Sequence, residues 1–172
     1  MGYFEFGRKL FGSHVLITII QIFLYFLIFG AFNNKWYEWL IGLLFIALFW
    51  FVIYGDASHY GMNDLKRGSF HPAKGFISGL IASIPGLFIY LITIALPDIW
   101  WLEVILRILL IPYIKFITTF DNFMPALAII FIACFPVVSG LSYLDGIRRR
   151  DKIKEAIKKK DAMREELSKY EK

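Results

Sequence analysis

Four residues in one stretch of the chain are of the types that bind divalent metals: Asp56, His59, Asp64 and His71. Asp56 and His59 are three residues apart, which on a helix puts both side chains on one face. Asp64 and His71 would add a second carboxylate and a second imidazole, completing a mixed oxygen and nitrogen donor set. Their spacing matches no established ligand pattern, and the plainer reading is of polar residues in a solvated loop. The same stretch better supports an anion site. Ser69 is placed to cap the helix that follows, and Pro72 suits an early helical position. Free N–H groups at such a terminus attract negative charge, and Lys66, Arg67, His71 and Lys74 surround it. A lipid phosphate or another anionic group would be its occupant. The leading reading nevertheless makes these cations ordinary inside-facing charges that orient the chain in a membrane.

One further constellation invites a catalytic reading and fails it. Asp145-Gly146-Ile147-Arg148 resembles the opening of the motif in enzymes that transfer phosphoalcohols from CDP-linked lipids. That motif continues with an Ala-Arg pair, a spaced Gly and two more Asp residues on the same helix. Here Asp151 and Asp161 fall in a polar tail and the spaced Gly is missing. The single cysteine, Cys134, lies in an apolar run, so no disulfide or zinc site forms within one chain. The expectation is therefore a protein that is no enzyme and carries no cofactor or metal.

The elements that position these residues are membrane spans. Hydrophobic residues make up 58% of the 172, and aromatics 19%, more than a soluble domain of this size can bury. A span needs roughly 17–25 mostly apolar residues. Four segments qualify, at about 15–32, 39–55, 75–96 and 123–144, with Trp36, Tyr37 and Trp39 where an interfacial aromatic belt belongs. Residues 99–119 are also apolar, but they contain Glu103, Arg107, Lys115 and a central Pro112. Glu103 and Arg107 have the i, i+4 spacing of a surface pair. This segment is read as an outer interfacial helix broken at Pro112. Pro136 should kink the last span.

Charge asymmetry orients the chain. With four spans and both termini in the cytoplasm, the inner side receives Arg8, Lys9, Lys66, Arg67, Lys74 and Arg148-Arg149-Arg150. The outer side receives only Lys35, Arg107 and Lys115. A fifth span would move Lys66, Arg67 and Lys74 outside. The fold class is thus an all-α, multi-pass integral membrane protein of the plasma membrane. Its bundle occupies residues 1–146, and a charged cytoplasmic helix occupies 147–172. The N-terminal apolar stretch is too long for a cleavable signal peptide.

Residues 145–172 hold 11 basic and 7 acidic side chains, so +4 of the net +5 resides there. Anionic headgroups are the expected partner of such a tail, rather than nucleic acid. Ile153, Ala156, Lys160, Met163, Leu167 and Tyr170 form a narrow apolar stripe on it, too short for an independent coiled coil. In the third span, Gly75, Gly79 and Ser83 are spaced by four, as are Ser78, Ala82 and Gly86. Small residues at that spacing let helix backbones meet closely in lipid. The partner is another span of this chain, or else another membrane protein or a second copy.

A faint repeat accompanies this layout. Val52-Ile53-Tyr54-Gly55-Asp56-Ala57 aligns with Val137-Val138-Ser139-Gly140-Leu141-Ser142, which sets Gly61 opposite Gly146. Two helical hairpins in parallel orientation would produce it. The second half of the chain resembles a family of small four-span membrane proteins of Gram-positive bacteria. The resemblance rests on Lys74-Gly75-Phe76 through Ile84-Pro85, on Leu106-Arg107-Ile108-Leu109 with Pro112, and on Pro136 through Tyr143 with Gly146. It implies the fold and a bacterial membrane, and no activity. Within the spans only Gln21 is mid-membrane, while His14, Asn33 and Asp121 are expected at edges. That scarcity of buried charge argues against an ion-coupled pump. The expected role is an accessory or partner-binding subunit. The rival is a homo-oligomeric transporter or channel for a small solute, its path sparsely lined by Gln21, Thr93 and Ser139.

Overall fold

An apolar segment in hydrocarbon must satisfy its backbone internally, so the long apolar stretches have little choice but to be helical. The computed structural model describes residues 2–29 and 35–170. In it the long helices are α1 (Tyr3–Phe29), α2 (Lys35–Lys66), α3 (Lys74–Ala95) and α6 (Met124–Tyr170). Between α3 and α6 lie two short helices, α4 (Trp100–Leu109) and α5 (Ile114–Thr119), on either side of a 3-10 turn at Ile111–Tyr113. A second such turn, Asp121–Phe123, leads into α6. All four long helices are long and apolar enough to cross a membrane, as in a multi-pass membrane protein. The end of the first expected span, residues 30–32, and Asn33 lie outside the described residues.

The helices run well past the apolar windows. Helix α1 begins at Tyr3, because Phe6 and Leu10 face the core while Glu5 and Lys9 pair at 3.6 Å on the outer face. Helix α2 continues to Lys66, so most of the loop expected between the second and third spans is helix, and only residues 67–73 connect α2 to α3. Its buried positions, Phe45, Phe49, Ile53, Ala57 and Gly61, continue one stripe at four-residue spacing through that stretch. Packing there overrides the helix-weakening effect of Gly55 and Gly61. Helix α6 likewise passes Gly146 without a break and carries Pro136 inside it.

In the bundle α1 contacts α2 and α3, and α6 contacts the same two. Helices α2 and α6 run the same way, since Trp50 meets Phe135 and Gly61 meets Tyr143. The small-residue face of α3 is used within the chain. Gly75 lies against Tyr143 and Gly140, Gly79 against Ser139 and Pro136, and Gly86 near Ile132, all on α6. Ser83 donates to the carbonyl of Gly79 at 2.9 Å, Ala82 is buried, and Ser78 turns to α1, donating to the Tyr3 carbonyl at 3.0 Å. The segment 99–119 joins the core through Leu102, Leu106, Leu110, Tyr113 and Ile117. Large apolar side chains such as Phe23, Phe26, Phe51 and Phe88 point outward, a surface that suits hydrocarbon and not water.

Candidate functional site

Polar side chains gather at one end of the bundle, where α2 ends, α3 begins and α6 passes between them. Lys74, the first residue of α3, places its Nζ 2.6 Å from an Asp64 carboxylate oxygen, with the two side chains 4% and 6% exposed. The Tyr143 hydroxyl donates to the same carboxylate at 2.8 Å, and Ser69 Oγ donates to its other oxygen at 3.2 Å. A buried ion pair is tolerable when further hydrogen bonds compensate for lost water, and this carboxylate has three donors. The connecting loop closes over it. Gly68 takes a positive φ of 68°, the Ser69 amide donates to the Asp64 carbonyl, and Phe70 stacks on Tyr143 at 5.1 Å.

This latch divides the five residues expected at an anion site. Lys66, Arg67, Ser69 and His71 are exposed around the loop. Lys74 is not, because its charge is already held by Asp64. Ser69 does not cap α3 either. The cap residue is Ala73, which makes no side-chain cap bond. The four residues of metal-binding type are dispersed in the same way. Asp56 accepts a hydrogen bond from Ser13 on α1, His59 accepts one from Asn63 at 2.8 Å, and His71 lies edge-on to Tyr3. No group of three or more metal-binding side chains converges among the described residues. Nearby, the Tyr54 hydroxyl donates to Asp145, and the Arg149 guanidinium lies 4.7 Å above the Tyr54 ring.

At the opposite end the ion pairs are more open. Arg107 bridges Glu103 at 2.6 Å and Asp121 at 2.5 Å, tying α4 to the start of α6. Burial alone would lower its pKa, but the two carboxylates more than reverse that and hold it above the usual value. Lys115 reaches Glu38 at 2.5 Å, across the ring of Trp39. Because Glu103 and Asp121 are well exposed, Arg107→Gln is expected to change thermal stability by no more than about 1 kcal/mol, and less still in high salt. A larger loss in a melting curve would show that this network is closed off from water.

Between the two ends lies a third polar feature, which sequence reasoning placed wrongly. His14 is not at a rim. Its ring packs between Phe49 and Phe135, and its Nε2 donates to the carbonyl of Leu109 at 3.0 Å. The reason is in α4. Pro112 has no N–H to offer that carbonyl, and the Tyr113 amide turns to Leu110 instead. A proline in an apolar run followed by a tight turn was the available signal of an orphan acceptor. Gln21 does similar work, donating to the Phe45 carbonyl at 2.7 Å. His14 and Tyr113 line a cavity of about 30 Å³ with Phe11, Phe49, Phe131 and Phe135. The Tyr113 hydroxyl is buried without a hydrogen-bond partner among the described residues. As a neutral phenol it can donate one hydrogen bond and accept another.

Comparison with family models, curated proteins and solved structures finds no match. Function must therefore be read from the chain's own chemistry. Of the sparse polar residues expected along a solute path, Gln21, Thr93 and Ser139 each bond a backbone carbonyl, at Phe45, Ile89 and Gly75 respectively. Those bonds occupy the donor groups of the three side chains, while Gln21 Oε1 is buried without a hydrogen-bond partner among the described residues.

Proposed function

We propose that this chain is a non-catalytic accessory subunit of a membrane complex, anchored by its four-helix bundle and docking its partner through the basic end of α6. The observation that carries the reading is the continuity of α6 over Met124–Tyr170. Its first half is wedged between α2 and α3, and the rest leaves the bundle as part of the same helix. Residues beyond 147 add a rod on the order of 35 Å at 1.5 Å per residue. Along it Arg148, Arg149, Lys152, Lys154, Lys158 and Lys159 are exposed, with Ile153 and Ile157 open between them. Cations flanking an apolar pair suit an acidic amphipathic surface on another membrane protein, with anionic headgroups as a secondary contact. Lys160, Leu167 and Tyr170 of the expected stripe lie outside the described side chains.

In this reading the protein sits in the plasma membrane with both termini cytoplasmic, as the distribution of cations favours. Its two hairpins, α1 with α2 and α3 with α6, descend from one duplicated unit. Support comes from Gly61 and Gly146, which the repeat aligns. Each faces a carbonyl of the other's helix: Gly61 that of Tyr143, and Gly146 that of Ser58. Tyr143 and Ser58 stand three residues before Gly146 and Gly61, so the two contacts are reciprocal.

The test is extraction into native nanodiscs of the wild type and of a variant with Lys152, Lys154, Lys158 and Lys159 changed to Glu. A second protein in fixed stoichiometry, present with the wild type and lost with the variant, is the expected result. A pure homo-oligomer from both preparations would replace this reading with the transporter or channel. A cysteine introduced by Ile153→Cys should react with an impermeant maleimide only after the cells are opened. Labelling of intact cells would reverse the orientation.

A further inference from the structure

We infer that the cavity between His14 and Tyr113 is a water-binding site, in which one or two waters bridge the tyrosine hydroxyl to the histidine ring. Three observations carry this. The first is size. The cavity measures about 30 Å³, and a single water needs roughly 10–15 Å³ of such space. An aromatic or lipid-chain ligand does not fit without separating helices. The second is the unpartnered Tyr113 hydroxyl, on a side chain only 4% exposed that lines this cavity. A buried hydroxyl with no partner costs more than its hydrogen bond would return, so the polar tip selects an occupant that can accept and donate. Hydrocarbon does neither.

The third observation is the histidine tautomer. A carbonyl only accepts, so His14 Nε2, at 3.0 Å from Leu109 O, carries the proton. The neutral ring then presents Nδ1 as an acceptor. Both rings pack against Phe49, at 5.1 Å for His14 and 5.8 Å for Tyr113, which brings the two polar groups to one aromatic-walled space. A water there has the Tyr113 hydroxyl and His14 Nδ1 as partners, within the two to four that buried waters keep. The bridge fastens the α4–α5 segment to α1 through a second link beside the direct His14–Leu109 bond.

The sign of one substitution tests this. Tyr113→Phe keeps the ring, its stacking on Phe131 at 3.9 Å and the cavity walls, and removes only the oxygen. With a bridging water, the melting midpoint of the full chain in nanodiscs falls by about 2–4 °C or more. That loss shrinks when the same change is made in a His14→Leu background. In a dry cavity, Tyr113→Phe removes an unsatisfied group and the midpoint rises, which overturns the proposal. A fall that is unchanged by His14→Leu overturns the bridge. As an independent reading, proton NMR in nanodiscs should show magnetisation transfer from water to the Tyr113 and His14 rings. Transfer from lipid acyl chains alone would mean hydrocarbon fills the space, and the water site would be wrong.

Discussion

Lys74→Met is expected to destabilise the folded bundle by about 3–5 kcal/mol, because it strands the Asp64 carboxylate where protein, not water, surrounds it. Both side chains are almost fully covered, and the loop carrying Phe70 seals them against Tyr143. The stranded charge keeps only the Tyr143 and Ser69 hydroxyls. Asp64→Asn should be costly for the converse reason, leaving a buried ammonium without its counter-charge. The informative variant is the double one. With Asp64→Asn and Lys74→Met together, no net charge remains inside, while the carbonyl of the introduced amide can still accept from Tyr143 and Ser69. Most of the lost stability should return, since a neutral replacement of a buried pair is often close to neutral in energy. Thermal melting of the four proteins in the same nanodiscs decides it. A Lys74→Met protein within about 1 kcal/mol of wild type would mean that the latch is open to water.

The second large effect is expected at the crossing of α2 and α6. A methyl group at Gly61 would press on the Tyr143 carbonyl oxygen, and one at Gly146 would come within 2.6 Å of the Ser58 carbonyl oxygen and 2.7 Å of the Met62 amide. Backbone atoms cannot swing aside as a flexible side chain does. Gly61→Ala and Gly146→Ala should therefore each separate the helices at a cost of about 1–3 kcal/mol. Gly55→Ala, six residues before Gly61 on α2, meets nothing within 4 Å and should stabilise by about 0.5–1 kcal/mol through helix propensity alone. Comparable costs at Gly61 and Gly146 are what a duplicated hairpin predicts. A Gly61→Ala protein as stable as Gly55→Ala would show that α2 and α6 do not touch there, and an unequal pair would remove the best support for duplication.

Those residues also show how far the chain can be read unaided. The alignment of Gly61 with Gly146 is visible in the sequence, but their packing on each other's helices is not. Likewise, the four-residue spacing of Gly75, Gly79 and Ser83 announces a close helix contact without naming its partner, which is α6. Helix ends are the least legible feature. Hydropathy marks where a segment is comfortable in lipid, and α1, α2 and α6 all continue beyond that point. Their extra turns are held by contacts with other helices: Gly7 against Ser78 and Ile81, Ile53 and Ala57 in the core, and Gly146 against α2.

The candidate site divides along the same line. Asp56, His59, Asp64 and His71 stand out because their types and nearness in sequence could serve a metal, and Lys66, Arg67, Ser69, His71 and Lys74 because they could hold an anion. Residue type does not say which atom will face which. Asp64 finds Lys74 ten positions on and Tyr143 far along the chain on α6, Asp56 finds Ser13, and His14 finds the carbonyl that Pro112 set free. The four apolar helices, the break at Pro112 and the basic character of the last helix are all legible in the residues alone. These follow from local properties: hydrophobic length, a missing N–H and a count of charges. Which polar groups are consumed in holding the bundle and which stay exposed was settled by packing. Pairing depends on chain segments brought together by packing, and that information is spread over the whole fold.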